Sequence, residues 1–308
     1  MTWTTADIPD LTARTAVITG VTGGLGTHVA LELARRGATV IGTARNAEKS
    51  RGTVDAIRAE VPAADLRVVD LDLADLARTK AAAAALLAEV PQIDILVNNA
   101  GIMIPPYTQT VDGFELQMAT NHLGHFAWTA GLWPALGAAR IVSVSSMAHT
   151  AASDIDFTLL TPGQAPATYR RWEVYGQSKL ANLLFMRELD QRLAAAGSSA
   201  VSVAAHPGFA STGLTKTGLE VGGGSFLTGL VHRVSGLVAQ SAAAGAQPLL
   251  LAATQPGLPG GSYVGPDGFK GMRGKPKLVG MTKIARDAEL AAQLWVASET
   301  ATGVSFRP

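Results

Sequence analysis

Cysteine is absent from the 308 residues. Without it no disulfide and no thiolate metal site can form, and the chain suits a reducing, cytoplasmic setting. An excess of one charge sign is also missing. Lys and Arg number 25 and Asp and Glu 24, for a net charge of +1 with the six histidines neutral. That balance provides no electrostatic footprint for nucleic acid. Long apolar runs are lacking too. No stretch reaches the roughly 20 apolar residues that a membrane-spanning helix needs. The most lipid-like segment, Phe226 to Val238, is interrupted by His232 and Arg233; it reads as an amphipathic helix over a pocket rather than a membrane attachment. The opening Met1-Thr2-Trp3-Thr4-Thr5-Ala6-Asp7 has no basic-then-apolar signal layout. Metal binding is not expected either, because His122, His125, His149 and His206 are not spaced as a ligand set and no thiol assists them.

What is present is a large hydrophobic content, 47%, enough to bury a sizeable core. Short β-branched runs alternate with Ala/Leu-rich helical runs. Candidate strands are 16–19, 38–42, 66–69, 93–97, 140–144 and 201–205; candidate helices are about 25–36, 76–89, 111–136 and 174–196. Strand and helix alternating at this spacing imply βαβ crossovers and a parallel sheet covered on both faces. Two segments break the rhythm: a polar, Pro-containing insert at 151–172, and a Gly-rich segment at 213–245. Both follow strand carboxyl ends, where ligands bind in open α/β sheets. A mobile surface excursion is the alternative reading of each.

Three motifs carry chemistry. Thr19-Gly20-Val21-Thr22-Gly23-Gly24-Leu25-Gly26 closes the first strand and opens the first helix. Such glycines let the backbone approach a pyrophosphate, and the helix N-terminus offers free N–H groups to it. At the end of the second strand an enzyme for NAD places an acid for the ribose hydroxyls. Here the residues are Gly42-Thr43-Ala44-Arg45-Asn46. Arg45 matches a 2′-phosphate in charge and geometry, so NADP is favoured over NAD. The third motif is Tyr175-Gly176-Gln177-Ser178-Lys179. Residues four apart share one helix face. An ammonium near a phenol favours the phenolate, bringing proton exchange closer to neutral pH than the unperturbed value of about 10.

Taken in order, the motifs resemble the short-chain dehydrogenase/reductase family, most closely its branch of retinol dehydrogenase-like and protochlorophyllide reductase-like enzymes. They are TGVTGGLG at 19–26, DLDL at 70–73, NNAG at 98–101, TNHLGHF at 120–126, RIVSVSS at 140–146, YGQSK at 175–179 and HPG at 206–208. The resemblance covers about residues 14–215 and implies a single-domain Rossmann fold over 1–308, with a doubly wound parallel sheet of about seven strands. It implies a catalytic set of Asn121, Ser146, Tyr175 and Lys179. Asn121 would hold a helix bend and a relay water, Ser146 would orient the substrate carbonyl, and Tyr175 would be the acid or base. Lys179 would bind the nicotinamide ribose and lower the proton affinity of Tyr175. The cofactor would also meet Gly20, Thr22, Gly23, Gly24, Leu25, Gly26, Arg45, Asp72, Leu73, Asn99, Ala100, Gly101, Pro207, Gly208 and Thr212. Adjacent strand residues point opposite ways, so only one of Ser145 and Ser146 can face the site, and the resemblance places the second, Ser146, there. There are departures. Ser143 stands where the branch usually has Asn, Ala44 stands where a cysteine is frequent, and the stretch from Ser146 to Tyr175 is longer than in minimal members.

The implied reaction is hydride transfer between NADP and a carbonyl or alcohol. Phe209, Leu214, Phe226 and Leu227 are available to line an apolar substrate pocket. Trp128, Trp133 and Trp172 read as packing residues, although Trp172, just before Tyr175, can reach substrate. Two alternatives stand: a reductase of carbon–carbon double bonds, and a non-catalytic NADP-binding regulatory protein. The family often pairs two long helices, here about 111–136 and 174–196, into a homodimer, a pairing that the two inserts could block.

Overall fold

The computed structural model describes residues 3–209 and 240–308. The β-branched runs form β1 Thr15–Thr19, β2 Thr39–Ala44, β3 Leu66–Asp70, β4 Ile95–Asn98, β5 Arg140–Val144 and β6 Val201–Ala205. Their side chains are largely buried on both faces, as near-continuous apolar strands of a covered parallel sheet should be. Two further strands, β7 Tyr263–Pro266 and β8 Pro276–Leu278, bring the sheet to eight in the order β3-β2-β1-β4-β5-β6-β7-β8. All neighbours run parallel except β7 and β8. The fold is the expected doubly wound α/β sheet with one strand more than about seven. β7 and β8 are short and carry Pro and Gly, which weaken any strand pattern.

On one face lie α1 Gly24–Arg35, α2 Ala47–Glu60 and α6 Ala242–Thr254. Val29, Leu33, Ile57 and Leu249 pack there against Ile18, Val40 and Val97. The other face carries α3 Leu76–Glu89, α4 Gly124–Leu132, α5 Arg171–Ala195 and α7 Ala288–Thr302. Strand order reverses between β1 and β4, and in open α/β sheets ligands bind at the carboxyl ends beside such a switch point. Thr19, Asn98 and Val144 are strand ends there, which is why the sequence motifs converge.

Some elements differ from the sequence pattern. The helix expected over 111–136 starts only at Leu116, because Gly113 takes a left-handed φ of +83° and Glu115 caps the new start through the N–H groups of Gln117 and Met118. One α-turn, Leu116–Met118, then widens into a π-turn, Ala119–Leu123, before α4; a 3₁₀ turn, Trp133–Ala135, closes it. α5 begins at Arg171, earlier than the expected 174. α2 is so polar that Ile57 is its single buried residue, which leaves no apolar stripe to read. The insert at 151–172 is not a loose excursion. It contains a 3₁₀ turn, Phe157–Leu160, and buries Ile155, Leu159 and Leu160 in the same cluster as Leu180 and Leu294. Of the Gly-rich segment, 213–239 lies outside the described residues, with Thr212, Leu214, Phe226, Leu227, His232 and Arg233; Ser241 caps α6.

Candidate active site

The cofactor-side wall is built from the ends of β1 and β4. Gly20 has φ +70°, and a Cβ there would lie 3.0 Å from the Cα and Cβ of Ala100. Only glycine allows both the turn and that close approach. Gly23 caps α1 with no side-chain bond, so the N–H groups of the first turn point outward unclaimed by a side chain. Thr22 is half-buried, while Leu25 and Gly26 are buried in the first turn. Across the cleft, Asn99 donates from Nδ2 to the Thr19 carbonyl at 2.8 Å. The backbone N–H groups of Asn99 and Ala100 both donate to Thr19 Oγ1 at 2.9 Å. The turn after β4 is thereby fixed to the end of β1.

At the far end of this wall Arg45 follows β2 with its side chain 58% exposed. Its guanidinium lies 3.6 Å from Asp72, which Arg78 also approaches at 3.6 Å. Leu73 is buried, and its carbonyl and side chain crowd Gly124 so closely that no Cβ fits there. Pro207 and Gly208 follow β6; Gly208 has φ +67° and fits under Pro266 and the Met272 carbonyl.

The other wall comes from β5, α5 and the π-turn. Tyr175 and Lys179 are 7% and 4% exposed on one face of α5. Lys179 Nζ stands 5.8 Å from the Tyr175 ring centroid and donates to the Val144 carbonyl at 3.1 Å. Ser145 and Ser146 diverge as strand neighbours must. Ser145 Oγ donates to the Lys179 carbonyl at 2.8 Å, behind the site. Ser146 caps the next turn, and its side chain lies beside Tyr175, where it lowers the proton affinity of the phenol. The Asn121 side chain spans the gap: Oδ1 accepts from Ile102 N at 2.8 Å, and Nδ2 donates to Ile102 O at 3.0 Å and Ser178 Oγ at 2.9 Å. A Cβ on Gly101 would meet Asn121 Oδ1 at 3.0 Å and Lys179 Nζ at 3.4 Å. Asn121, Ser146, Tyr175 and Lys179 therefore share one site with the 98–101 turn. Thr212 lies outside the described residues.

The electrostatics depart from one expectation. Burial pushes the Tyr175 phenol above its usual value, and the neighbouring Ser146 only partly opposes this. Burial also brings the Lys179 ammonium down to about 8. In the protein alone desolvation wins, so the phenol is not shifted toward neutrality. Among the described residues no three His, Asp or Glu side chains gather as metal ligands, and no helix is long and apolar enough to cross a membrane.

Sequence reasoning misses several residues of the site. Ser178 joins Asn121 to α5, although it lies inside the YGQSK motif. His149 donates from Nδ1 to the Ser146 carbonyl at 2.7 Å. His125 bridges Asn121 and Thr19. Testing the histidines as a metal set hides their individual roles. Trp128 is core, whereas Trp172 is 61% exposed and packs edge-on against Tyr175 with ring centroids 6.3 Å apart.

The model of the short chain dehydrogenase family matches residues 14–155. An uncharacterized oxidoreductase of Schizosaccharomyces pombe is 43% identical over 226 residues, 70% of this chain and 65% of the relative, just under two-thirds of its length. Human retinol dehydrogenase 13 is 37% identical over 297 residues, covering 94% of this chain and 85% of that protein. The crystal structure of an uncharacterized protein from Mycobacterium paratuberculosis superposes with a TM-score of 0.81 and 43% identity, over 99% of both chains.

Proposed function

Because the chain belongs to the short-chain dehydrogenase/reductase family, in its retinol dehydrogenase-like branch, we propose that it is an NADP-dependent oxidoreductase interconverting an apolar carbonyl compound and its alcohol. The observation that carries this reading is the buried Tyr175 hydroxyl. Ser146 lies beside it and lowers its proton affinity, Lys179 Nζ stands 5.8 Å from its ring, and Lys179 and Asn121 both border Gly101.

A nicotinamide cofactor fits the residues present. Gly20, Gly26 and Gly101 leave no room for a Cβ without a close approach, and the first turn of α1 has unclaimed N–H groups for a pyrophosphate. Arg45 supports NADP over NAD: no acid stands at the end of β2, and an exposed guanidinium can pair bidentately with a 2′-phosphate. Asp72 and Leu73 would border the adenine, while Asn99, Ala100, Pro207, Gly208 and Thr212 would border the rest of the cofactor. When bound, the cofactor supplies or accepts the hydride.

The chain's own residues handle the proton. In the reducing direction Tyr175 donates its hydroxyl proton to the developing alkoxide, and Ser146 hydrogen-bonds the same oxygen. Lys179 positions the ribose and, held at about 8, can restore the tyrosine's proton. The half-exposed Phe209, together with Trp172 and Met147, supports an apolar substrate. The observations do not support pairing through the α4 and α5 helices. α7 covers that face, with Trp295 stacked on Phe185 at 5.9 Å and Phe306 stacked on Trp295 at 5.0 Å. A protein monomeric across that face is the expectation, to be read by light scattering.

The deciding experiment pairs NADPH and NADH across a panel of apolar aldehydes, ketones and enones. NADPH-dependent reduction of aldehydes or ketones is expected. Preference for small polar sugars, or for the enone double bond alone, would overturn the substrate class or the reaction.

A further inference from the structure

We propose that His125 is a positioning residue: its imidazole, protonated at Nδ1, is a strut between the Asn121 turn and the 98–101 turn. This role rests on the function proposed above, in which those turns hold the proton-transfer group and the cofactor. His125 is 3% exposed in the first turn of α4.

The hydrogen bonds fix the tautomer. Nδ1 lies 3.0 Å from the Asn121 carbonyl oxygen, which can only accept, so Nδ1 carries the proton. Nε2 of a neutral ring is then an acceptor, and Thr19 Oγ1 at 2.8 Å must donate to it. The Thr19 oxygen in turn accepts the N–H groups of Asn99 and Ala100, both at 2.9 Å. No donor along this chain is then left without an acceptor. The other tautomer fails twice: it sets a nitrogen lone pair against the Asn121 carbonyl, and it asks one hydroxyl oxygen to accept from three donors. Burial and the nearby Lys179 hold the ring neutral, with its proton affinity down to about 4.

A phenylalanine would fill the same space, so volume alone does not explain a histidine here. The polar chain runs from the backbone of Asn121, whose side chain reaches Ser178, to the two amides that precede Gly101. The two ends carry different consequences. Loss of the imidazole leaves the Asn121 carbonyl without this bond, while Thr19 can still serve both amides and turn its proton to the Val97 carbonyl at 3.4 Å. Loss of the Thr19 hydroxyl instead removes the acceptor that two part-buried amides share on the cofactor side.

The test has a direct and a functional arm. In the full-length ¹⁵N-histidine-labelled protein, without cofactor, the His125 ring is expected as the Nδ1–H tautomer with a slowly exchanging proton. An Nε2–H tautomer or a protonated ring at pH 7 overturns the proposal, whatever the variants do. Functionally, His125→Phe is expected to lower kcat about tenfold or more, the scale of one lost buried hydrogen bond, with NADPH affinity changed less than about threefold. Thr19→Val is expected to weaken NADPH binding about tenfold or more by equilibrium fluorescence, and Thr19→Ser to recover most of that loss. Wild-type kcat in His125→Phe, or equal losses in Thr19→Val and Thr19→Ser, would count against the strut. The tautomer and the NADPH affinity are read without turnover, so a failure of the proposed reaction is distinguishable from a failure of this assignment.

Discussion

On the cofactor side of Tyr175 the walls are strand ends, and their polar groups close on one another. Thr19, Asn99, Ala100, Asn121 and His125 each find a hydrogen-bond partner within this small set. Away from those strand ends, beyond the side proposed above for substrate, the loops that follow β4 and β7 carry strained backbone. Ile104 takes φ +51° and Lys270 φ +49°, values that a non-glycine residue adopts at a cost. Ile104 is held there by Gln117, whose Oε1 accepts its N–H at 2.8 Å. Gln117 Nε2 donates to the Tyr169 hydroxyl at 2.9 Å, which donates to the buried Glu115 at 2.7 Å. One wall is regular and the other is over-determined by a side-chain network. A reaction shared by many proteins needs the first, whereas the choice of substrate can be made in the second.

The largest expected effect comes from the group that both walls share. Tyr175→Phe keeps the ring that packs against Trp172 and removes the proton donor. Turnover on an accepted substrate should fall by about 10² to 10⁴-fold, the range for loss of a positioned acid, while NADPH affinity stays near wild type. Normal turnover by this variant would sink the assignment of the proton to Tyr175.

Next in size, Arg45→Ala tests the cofactor wall alone. A guanidinium hydrogen-bonded to phosphate contributes about 1.5–3 kcal/mol, so KM for NADPH should rise about 10 to 150-fold. KM for NADH should scarcely move, and kcat should hold. Equal effects on both cofactors would mean that Arg45 matters only for its contact with Asp72. The converse test is Trp172→Ala on the substrate wall. It should change KM among apolar carbonyl compounds several-fold and leave KM for NADPH alone; a change confined to NADPH would break the division between the two walls.

The same division decides how much is legible in the sequence. The cofactor wall is made of local motifs on strand ends, so TGVTGGLG, NNAG and YGQSK can be placed from residue order alone, and the fold brings their residues together. The substrate wall is not local. Tyr169 reaches Glu115 across 54 residues of sequence, and no pattern in either neighbourhood announces the contact. The π-turn is equally hidden, because residues 117–129 are buried all round and leave no apolar stripe whose change of phase could be read. The sign of the Tyr175 shift is not legible either, since it depends on burial, which the Tyr–Lys spacing does not encode.

Lys179 carries a stability prediction with a definite sign. Its folded value of about 8 lies below the ordinary 10.5, so the unfolded chain binds the extra proton between those pH values. Burial therefore costs stability in full below about pH 8, and the cost fades as pH rises toward 10.5. Lys179→Met should lose turnover and yet make the cofactor-free protein about 1–3 kcal/mol more stable at pH 7, the remainder after the bond to Val144 is lost. Denaturant unfolding at about pH 7 and about pH 9.5 should show that gain shrinking at the higher pH. A gain that grows with pH would contradict a buried, destabilising ammonium.

The smallest expected effect probes where the well-bonded wall falls short. Ser143 on β5 sits in register with Asn98 on β4, and both side chains are buried. Asn98 donates from Nδ2 to Thr129 at 2.9 Å, but its Oδ1 and the Ser143 hydroxyl each lack a partner among the described residues. These two orphans lie just behind the 98–101 turn, where the branch usually has Asn in place of Ser143. A longer amide there can donate to Asn98 Oδ1, and satisfying a buried acceptor contributes about 1 kcal/mol. Ser143→Asn should therefore raise the unfolding free energy by about that amount, with kcat and both KM values unchanged. A loss of stability instead would show that β5 and α4 pack too tightly for the larger side chain, and that the serine belongs to this chain's own core.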